Sequence, residues 1–398
     1  IQAVRSLAEN QLAQLSLVES KSINHQLKSI SEATDFLRNE TNRVMTTPPG
    51  KAGGNTDEPT GFAYAPSGVY YSTHDEGGSA LFYSAIVPVG APERMKAGRS
   101  KGLDPAFKGV KESFPLIVQV YYNTHDSLNR IYPYFDVLSQ YEPKMDIPSF
   151  NFYYEADAAH NPSRKVVWTD VYVDPAGQGW MTSCIAPVYA GDFLEGVVGS
   201  DVTVGTIVND VLNLNIPWGG YGMLVSRDGA IIALPKAGED DWGVKQSAQH
   251  NYLTTIKQDT FQPETFNLYK HLGNTGLSTH IRKNADGINH SMFAQKSIIS
   301  WATIPETGWK LLVVVPEENI YQPVQALSDR LNSIAWLMIF GMLMFYSIFF
   351  TLLYRRAKRM SHFVSEPLMR IDAMVSSIAR GQYHQQVPEL AVSELHHT

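Results

Sequence analysis

Residues 333–354, SIAWLMIFGMLMFYSIFFTLLY, run for 22 positions without a charged side chain, and Arg355, Arg356, Lys358 and Arg359 follow at once. At ~1.5 Å rise per residue such a segment reaches ~33 Å, enough to cross a hydrocarbon core of ~30 Å. The pattern predicts a transmembrane helix, since a soluble helix of this length keeps a polar face. The basic cluster predicts that its C-terminal end is cytoplasmic and that the residues before it lie outside the cytoplasm.

A second pattern opens the chain. Ile23, Leu27, Ile30, Thr34, Leu37, Thr41 and Val44 are apolar or small at alternating spacings of four and three, which describes one stripe of a long helix. Such a stripe either pairs with a second copy or lines the globular part of the chain. Turn chemistry in TPPGKAGGNTDEPTG, residues 47–61, ends the helix.

Short β-like runs alternate with turns after that: YAPSGVYYS, ALFYSAIVPV, VVWTDVYVD, GWMTSCIAPVYA and LEGVVGSDVTV, with FPLIVQVYYNTHDSLNRIYPYFDVLSQY read as helix-like. GTIVNDVLNLNIP predicts a short helix leaving a first module. WGGYGMLVSRDGAIIALP opens a second with a hairpin turning at Arg227, Asp228 and Gly229. A helix in SAQHNYLTTIK, strands in NHSMFAQKSII and WKLLVVVP, and a helix from Glu318 complete the reading.

Composition adds a few limits. The 398 residues carry a net charge of −7 with 44% hydrophobic and 11% aromatic content, which suits packed cores and argues against a nucleic-acid partner. Cys184 is the sole cysteine, so no intrachain disulfide forms; in WMTSCIAPVY it reads as a buried, inert thiol. An extracytoplasmic region of this size without disulfides fits a bacterial periplasm. The twelve histidines include no pair on one helix face with a third ligand, and no nucleophile elbow, phosphate loop or His-Glu-x-x-His occurs. The expectation is no metal, no cofactor and no enzyme, with His125 and Asp126 the only faint catalytic candidates. The opening IQAVRS lacks a starting methionine or signal sequence, so an internal fragment of a longer chain is expected.

Two strand blocks, CIAPVYAGDFLEGVVGSDVTV and ATIPETGWKLLVVVPEENIY with Trp309 and Pro316, stand in an order that resembles the double-Cache sensor ectodomains of bacterial receptors. After the span, Glu366-Pro367 opens an amphipathic run with Leu368, Ile371, Met374, Val375 and Ile378. Arg380-Gly381-Gln382-Tyr383 and Val392-Ser393-Glu394-Leu395 follow, and the whole is similar to a HAMP linker that stops before its second helix.

The resemblance implies an α+β fold: a long N-terminal helix (1–46), a membrane-distal PAS-like (Cache) module (47–216), a membrane-proximal one (217–320), a linker (321–332), the transmembrane helix (333–354) and a partial HAMP linker (355–398). It implies a homodimeric sensor in a bacterial inner membrane. That sensor takes a small-molecule ligand in the distal module and signals through the HAMP linker to a cytoplasmic output domain in cis. A membrane-tethered binding or adhesive module without output is the alternative.

In family members that bind amino acids, the distal pocket has an Arg-x-aromatic-Tyr motif, a Tyr-x-Asp and a strand-end Asp that takes the amine. The matching positions are Asn151, Tyr153 and Tyr154, then Tyr172 and Asp174, then Asp201. Asn151 stands where the family's arginine would hold a carboxylate, and an amide cannot replace a guanidinium fork. The resemblance thus implies an amine without an α-carboxylate. Alternation in VVWTDVYVD puts Trp168, Asp170, Tyr172 and Asp174 on one face, adding aromatic walls and acceptors suited to a cation. Arg130 is the candidate substitute for the missing positive charge, with Tyr121, Tyr122, His125, Asp126 and Tyr134 close by in sequence.

Overall fold

A computed structural model describes residues 2–46, 60–175, 180–243, 267–272, 276–292, 295–382 and 384. The chain divides into two compact units, residues 1–321 and 322–398.

The first unit is organised on helix α1 (Gln2–Thr46). Its buried line runs through Ala8, Leu12, Ser16, Ser20, Ile23, Leu27, Ile30, Thr34, Leu37 and Thr41, the predicted stripe and its continuation toward the N-terminus. Ala8 and Leu12 pack with Ile298, Val313 and Val315 of one sheet. Farther along, Leu27, Ile30 and Leu37 share a core with Val198 and Cys184 of the other. The stripe is therefore filled within the chain, by the modules. Each fully buried Leu or Ile on it contributes ~1.5–3 kcal/mol of transfer free energy.

Two antiparallel sheets follow. The larger comprises β1 (Phe62–Tyr64), β2 (Tyr70–Ser72), β3 (Ala80–Tyr83), β4 (Ile117–Thr124), β5 (Leu128–Tyr132), β6 (Val167–Trp168), β7 (Tyr172–Val173), β8 (Trp180–Ala190) and β9 (Phe193–Thr203). Its order is β1-β2-β3-β5-β4-β9-β8-β6, with β7 also paired to β8. Helices α2 (Ala91–Ser100) and α3 (Asp104–Ser113) precede β4, and single turns α4 (Val137–Gln140) and α5 (Asn151–Tyr154) lie between β5 and β6. Helix α6 (Val204–Leu212) leads to the smaller sheet of β10 (Tyr221–Val225), β11 (Ile231–Ala233), β12 (Asp286–Met292), β13 (Lys296–Ile304) and β14 (Trp309–Pro316), ordered β11-β10-β14-β13-β12. Helices α7 (Lys236–Trp242), α8 (Leu268–Leu272) and α9 (Gly276–Lys283) lie between β11 and β12. Within the larger sheet the run β5-β4-β9-β8 followed by β6 and β7 repeats the order of the smaller one: second, first, fifth, fourth, third strand of the module. Both modules are PAS-like in that sense.

The turn expected at Arg227, Asp228 and Gly229 is present: Gly229 takes φ 100°, and Ser226 N–H donates to the Ala230 carbonyl at 2.8 Å. The predicted helices at 205–217 and from Glu318 correspond to α6 and to α10 (Glu317–Ala379). The helix expected in SAQHNYLTTIK lies outside the described residues, as do residues 47–59 and the segment Val392-Ser393-Glu394-Leu395.

Two readings are corrected. The helix-like segment from Phe114 is mainly the β4–β5 hairpin; only α4 in it is helical. Ile117, Val118, Val120, Tyr121 and Tyr122 are β-branched or aromatic and pack on a pleated surface, and burial on both faces hides the period of two. Ser127 at φ 62° closes the turn, where Thr124 Oγ1 accepts from Leu128 N–H at 3.1 Å.

The second correction concerns VVWTDVYVD, which is two short strands rather than one. Trp168 pairs with Cys184 and Tyr172 with Met181, so four steps on one strand meet three on β8. That extra residue is a bulge, and it reverses which face each side chain takes. Trp168 therefore joins the core on the α1 side while Tyr172 joins the core on the other.

In the second unit, α10 carries an apolar window of mean hydropathy 2.1, none of it buried. Trp336 and Leu337 are 72% and 75% exposed. Among the described residues this is the one helix long and apolar enough to cross a membrane. An apolar surface of that extent is not sustained in water.

Replacing Leu37 by Ala is expected to cost ~2–5 kcal/mol in denaturant unfolding because it opens a cavity under α1. The exposed neighbour Phe36, replaced in the same way, is expected to change stability by no more than ~0.5 kcal/mol.

Candidate functional site

Opposite the α1 side, the larger sheet carries a polar row inside an otherwise apolar core. Register places Gln119 of β4 beside Asp201 of β9, and Asp201 beside Ser183 of β8. One row on, Tyr121 faces Gly199; a Cβ at 199 would overlap the Tyr121 ring, so glycine there lets that ring lie across the sheet. Asn123, Asn129 and Ile131 extend this floor. Tyr141, Met145, Ile147 and Phe152, from the α4–α5 region, close it from above, and Tyr172, Asp174 and Pro175 close one side. The cavity so enclosed measures about 20 Å³, room for about one water molecule.

Its chemistry is dominated by acceptors. Asp201 and Asp174 are 2% and 4% exposed. Ser183 Oγ donates to Asp201 Oδ1 at 2.6 Å, and Tyr172 OH lies 3.3 Å from the same oxygen and 2.6 Å from Ser183 Oγ. Burial, then the charge of Asp174, push the Asp201 carboxyl well above the usual carboxylate range, against the pull of the Ser183 and Tyr172 hydrogen bonds. Asn129 Nδ2 donates to Asn123 Oδ1 at 2.7 Å, whereas Asn129 Oδ1 and Gln119 Oε1 are buried with no donor among the described residues. Among the described residues, no lysine, arginine or histidine lines the cavity. Two carboxylates, two orphaned carbonyl oxygens and the rings of Tyr121, Phe152 and Tyr172 converge on one small volume. That set has hydrogen-bond acceptors and π faces for a cation and no guanidinium or ammonium for a carboxylate.

The nine residues expected from the sequence divide. Tyr172, Asp174 and Asp201 come together around this cavity. Asn151 is buried at its edge, donating from Nδ2 to the Asp170 carbonyl at 3.2 Å and accepting from Phe152 N–H at 3.0 Å; it ties α5 to the bulge instead of facing the cavity. Tyr153 is core, its hydroxyl buried with no partner among the described residues.

Tyr154, Trp168 and Asp170 surround a different, open cleft of about 650 Å³ shared with Glu155, His160, Val167 and Arg227. There Arg227 Nη2 donates to Asp170 Oδ1 at 2.9 Å, and Trp168 Nε1 donates to Ser31 Oγ of α1 at 2.9 Å. Burial and then the charge of Asp170 push Glu155 up to about 8.

Arg130 does not supply a charge to the cavity. Its neighbours Asn129 and Ile131 face in, so strand alternation turns Arg130 out, where Nε reaches Asp104 Oδ1 at 3.0 Å and Nη2 bonds Asp104 Oδ2. His125 and Asp126 do not act together: Asp126 accepts from Tyr83, Thr124 and, at 2.9 Å, Lys96, while His125 packs edge-on to Phe193. Burial pushes the Cys184 thiol up to about 12.

Gln119, Asn123 and Asn129 escaped the sequence reading because their segment was assigned a helical period. With a period of two, Gln119, Tyr121 and Asn123 fall on one face, and polar residues recurring in a buried strand were the available signal.

No family model matches the chain. The structure is similar to the ligand-binding domain of the Pseudomonas fluorescens chemoreceptor CtaA in complex with L-isoleucine, at 15% identity over 81% of this chain and 97% of that one, with TM-score 0.48. It is similar to the extracellular domain of a proposed histidine kinase, mmHK1S-Z3, at 14% identity over 81% and 98%, with TM-score 0.47. A third likeness is to the ligand-binding domain of the Pseudomonas aeruginosa PAO1 amino acid chemoreceptor PctB in complex with L-Arg, at 15% identity over 79% and 97%, with TM-score 0.44. At these identities and scores they pass no ligand and no residue role to this chain.

Because the folded Asp201 carboxyl holds its proton to higher pH than an unfolded one, its ionisation removes stability progressively as pH rises from ~4 through the folded value. Asp201→Asn is expected to remove that loss, so the wild-type minus variant stability falls as pH rises from 4 to 8. A constant difference in pH-resolved thermal unfolding would show that Asp201 is not the titrating group. On the strand order of its own two sheets, the chain carries a pair of PAS-like modules behind one N-terminal helix, the architecture its sequence resembles.

Proposed function

We propose that the chain is the extracytoplasmic and membrane-spanning part of a sensor whose distal module binds a small organic cation, an amine, in the cavity around Asp201. The observation that carries this reading is a buried carboxylate whose partners, Ser183 and Tyr172, are neutral, in a cavity that among the described residues is lined by a second carboxylate and by no cationic side chain. Such a charge is costly to bury, and a ligand ammonium compensates it. The orphaned oxygens of Gln119 and Asn129 supply further acceptors for N–H groups.

A cavity of about 20 Å³ is too small for an organic ligand, so binding displaces a wall. The floor is hydrogen-bonded sheet, whereas the roof is the irregular stretch with Tyr141, Met145, Ile147 and Phe152. The roof is the part that gives. On β9 the neighbour of Asp201 is Ser200, which faces the other way and accepts from Thr34 Oγ1 of α1 at 2.9 Å. β9 then runs directly into α6, whose Val211 and Ile207 share the core with Leu224 and Ile232 of the proximal module. A shift of β9 on ligand binding is thus felt both by α1 and by the proximal module. In this reading α10 crosses the membrane, the HAMP-like segment follows it, and a homodimer carries the signal to an output domain in the same polypeptide.

The test is a thermal-shift screen of the full chain in detergent against amines, quaternary ammonium compounds, amino acids and carboxylates. An amine at ~100 times its Kd is expected to add ~2.7 kcal/mol of stability. Asp201→Asn should abolish the shift, while Trp168→Ala, on the far face of the sheet, should keep it. Lowering the pH below the Asp201 transition should weaken apparent affinity by up to ~10-fold per unit, since the cation needs the ionised carboxylate. Stabilisation by carboxylates alone, or by amines equally in Asp201→Asn, would overturn the assignment.

A further inference from the structure

A second cluster of charge joins α1, the smaller sheet and the start of α10. His290, on β12, has a carboxylate at each ring nitrogen: Nδ1 lies 2.8 Å from Glu317 Oε1, and Nε2 lies 2.9 Å from Glu9 Oε1. Glu317 is the first residue of α10 and Glu9 belongs to α1, so one imidazole bridges the two helices. Each carboxylate also has a permanent cation. Arg5 Nε donates to Glu9 Oε1 at 2.8 Å, and Lys296 Nζ lies 2.9 Å from Glu317 Oε2.

A neutral imidazole has one N–H and one lone pair. Between two carboxylates it satisfies one and turns its lone pair on the other, unless that carboxylate carries a proton itself. The cations deny that. The hydrogen bond from Arg5 holds Glu9 below its usual range, and against the cost of burial those from Lys296 and His290 hold Glu317 low as well. Contacts of 2.8 and 2.9 Å to two ionised carboxylates require an N–H on both ring nitrogens.

We propose that His290, as the imidazolium, is a proton-operated clasp between α1 and the first turn of α10, the helix that carries the apolar segment. The groups facing it are Arg5 and Glu9 from α1, Lys296 from β13, and Glu317 from α10, with Tyr321 of α10 adding to the field at Arg5. Loss of the proton leaves two neutral pairs, Arg5 with Glu9 inside α1 and Lys296 with Glu317 between β13 and α10. Neither pair joins the two helices. The polar bridge is released, while the apolar contact of Ile320 with the core of Ala8 and Leu12 keeps the fold together. Acidification therefore locks α1 to α10, and loss of the imidazolium proton as pH rises frees them. This device is separate from the cavity around Asp201 and stands whether or not that cavity binds an amine.

The experiment uses the full chain in lipid nanodiscs with spin labels on Leu7→Cys and Glu318→Cys, both exposed positions, the native Cys184 being buried. Strong dipolar broadening between the labels is expected at pH 5.5, weakening by pH 8.5. With His290→Gln the broadening should be weak at both values, and Glu9→Leu, which removes the acceptor at Nε2, should behave the same way. Broadening in the wild type that does not change with pH overturns the clasp. So does a wild-type pH response retained in Glu9→Leu, a result readable even if the His290 variant does not fold.

Discussion

The packing of α1 against both sheets is the contact on which the rest of the first unit depends. One continuous core contains Leu27, Ile30 and Leu37 of α1, Val198 and Val202 of the larger sheet, and Ile304, Trp309 and Leu311 of the smaller. Neither module closes that core by itself. Small residues on the stripe, Ser16, Ser20, Ala33 and Thr34, bring the helix backbone close to the strands, and the Thr34–Ser200 hydrogen bond satisfies two hydroxyls that burial would otherwise strand.

With one face of the larger sheet committed to α1, its other face is free to hold polar chemistry. The two faces alternate along each strand, so Ser200 serves the helix and Asp201 the cavity one residue later. A carboxylate buried with neutral donors and a second carboxylate is a liability to stability, and groups whose protonation is displaced in this way concentrate where a protein acts on something else. Gly199 belongs to the same arrangement, since its missing side chain is where the Tyr121 ring lies.

At the other end of α1 the logic is electrostatic. Arg5, Glu9, His290, Lys296 and Glu317 bring four elements together, α1, β12, β13 and α10, through groups that are partly exposed except for the buried Glu317. Individually such pairs add little to stability. Their weight lies in what they connect, because Glu317 begins the helix that continues into the apolar segment.

Local pattern in the sequence was enough to specify the long helix and its buried stripe, the apolar segment with its basic border, the Asp-Gly turn and the closing strands of each module. Each is a matter of period or composition within a few turns of chain. Tyr172, Asp174 and Asp201 came from the family resemblance, and the fold places them around one cavity. What local pattern left open were the questions of face and partner. The β4–β5 hairpin was misread because burial on both sides erases the alternation that marks a strand, and with it went Gln119, Asn123 and Asn129. Trp168 and Asp170 were grouped with Tyr172 because a one-residue bulge, visible only in the pairing with β8, reverses the face. Arg130 was offered to the cavity because nothing local reveals Asp104, 26 residues away, waiting on the opposite face. Hydropathy and period are properties of a segment; register and the identity of an ion's partner are properties of two segments that meet only when the chain has folded.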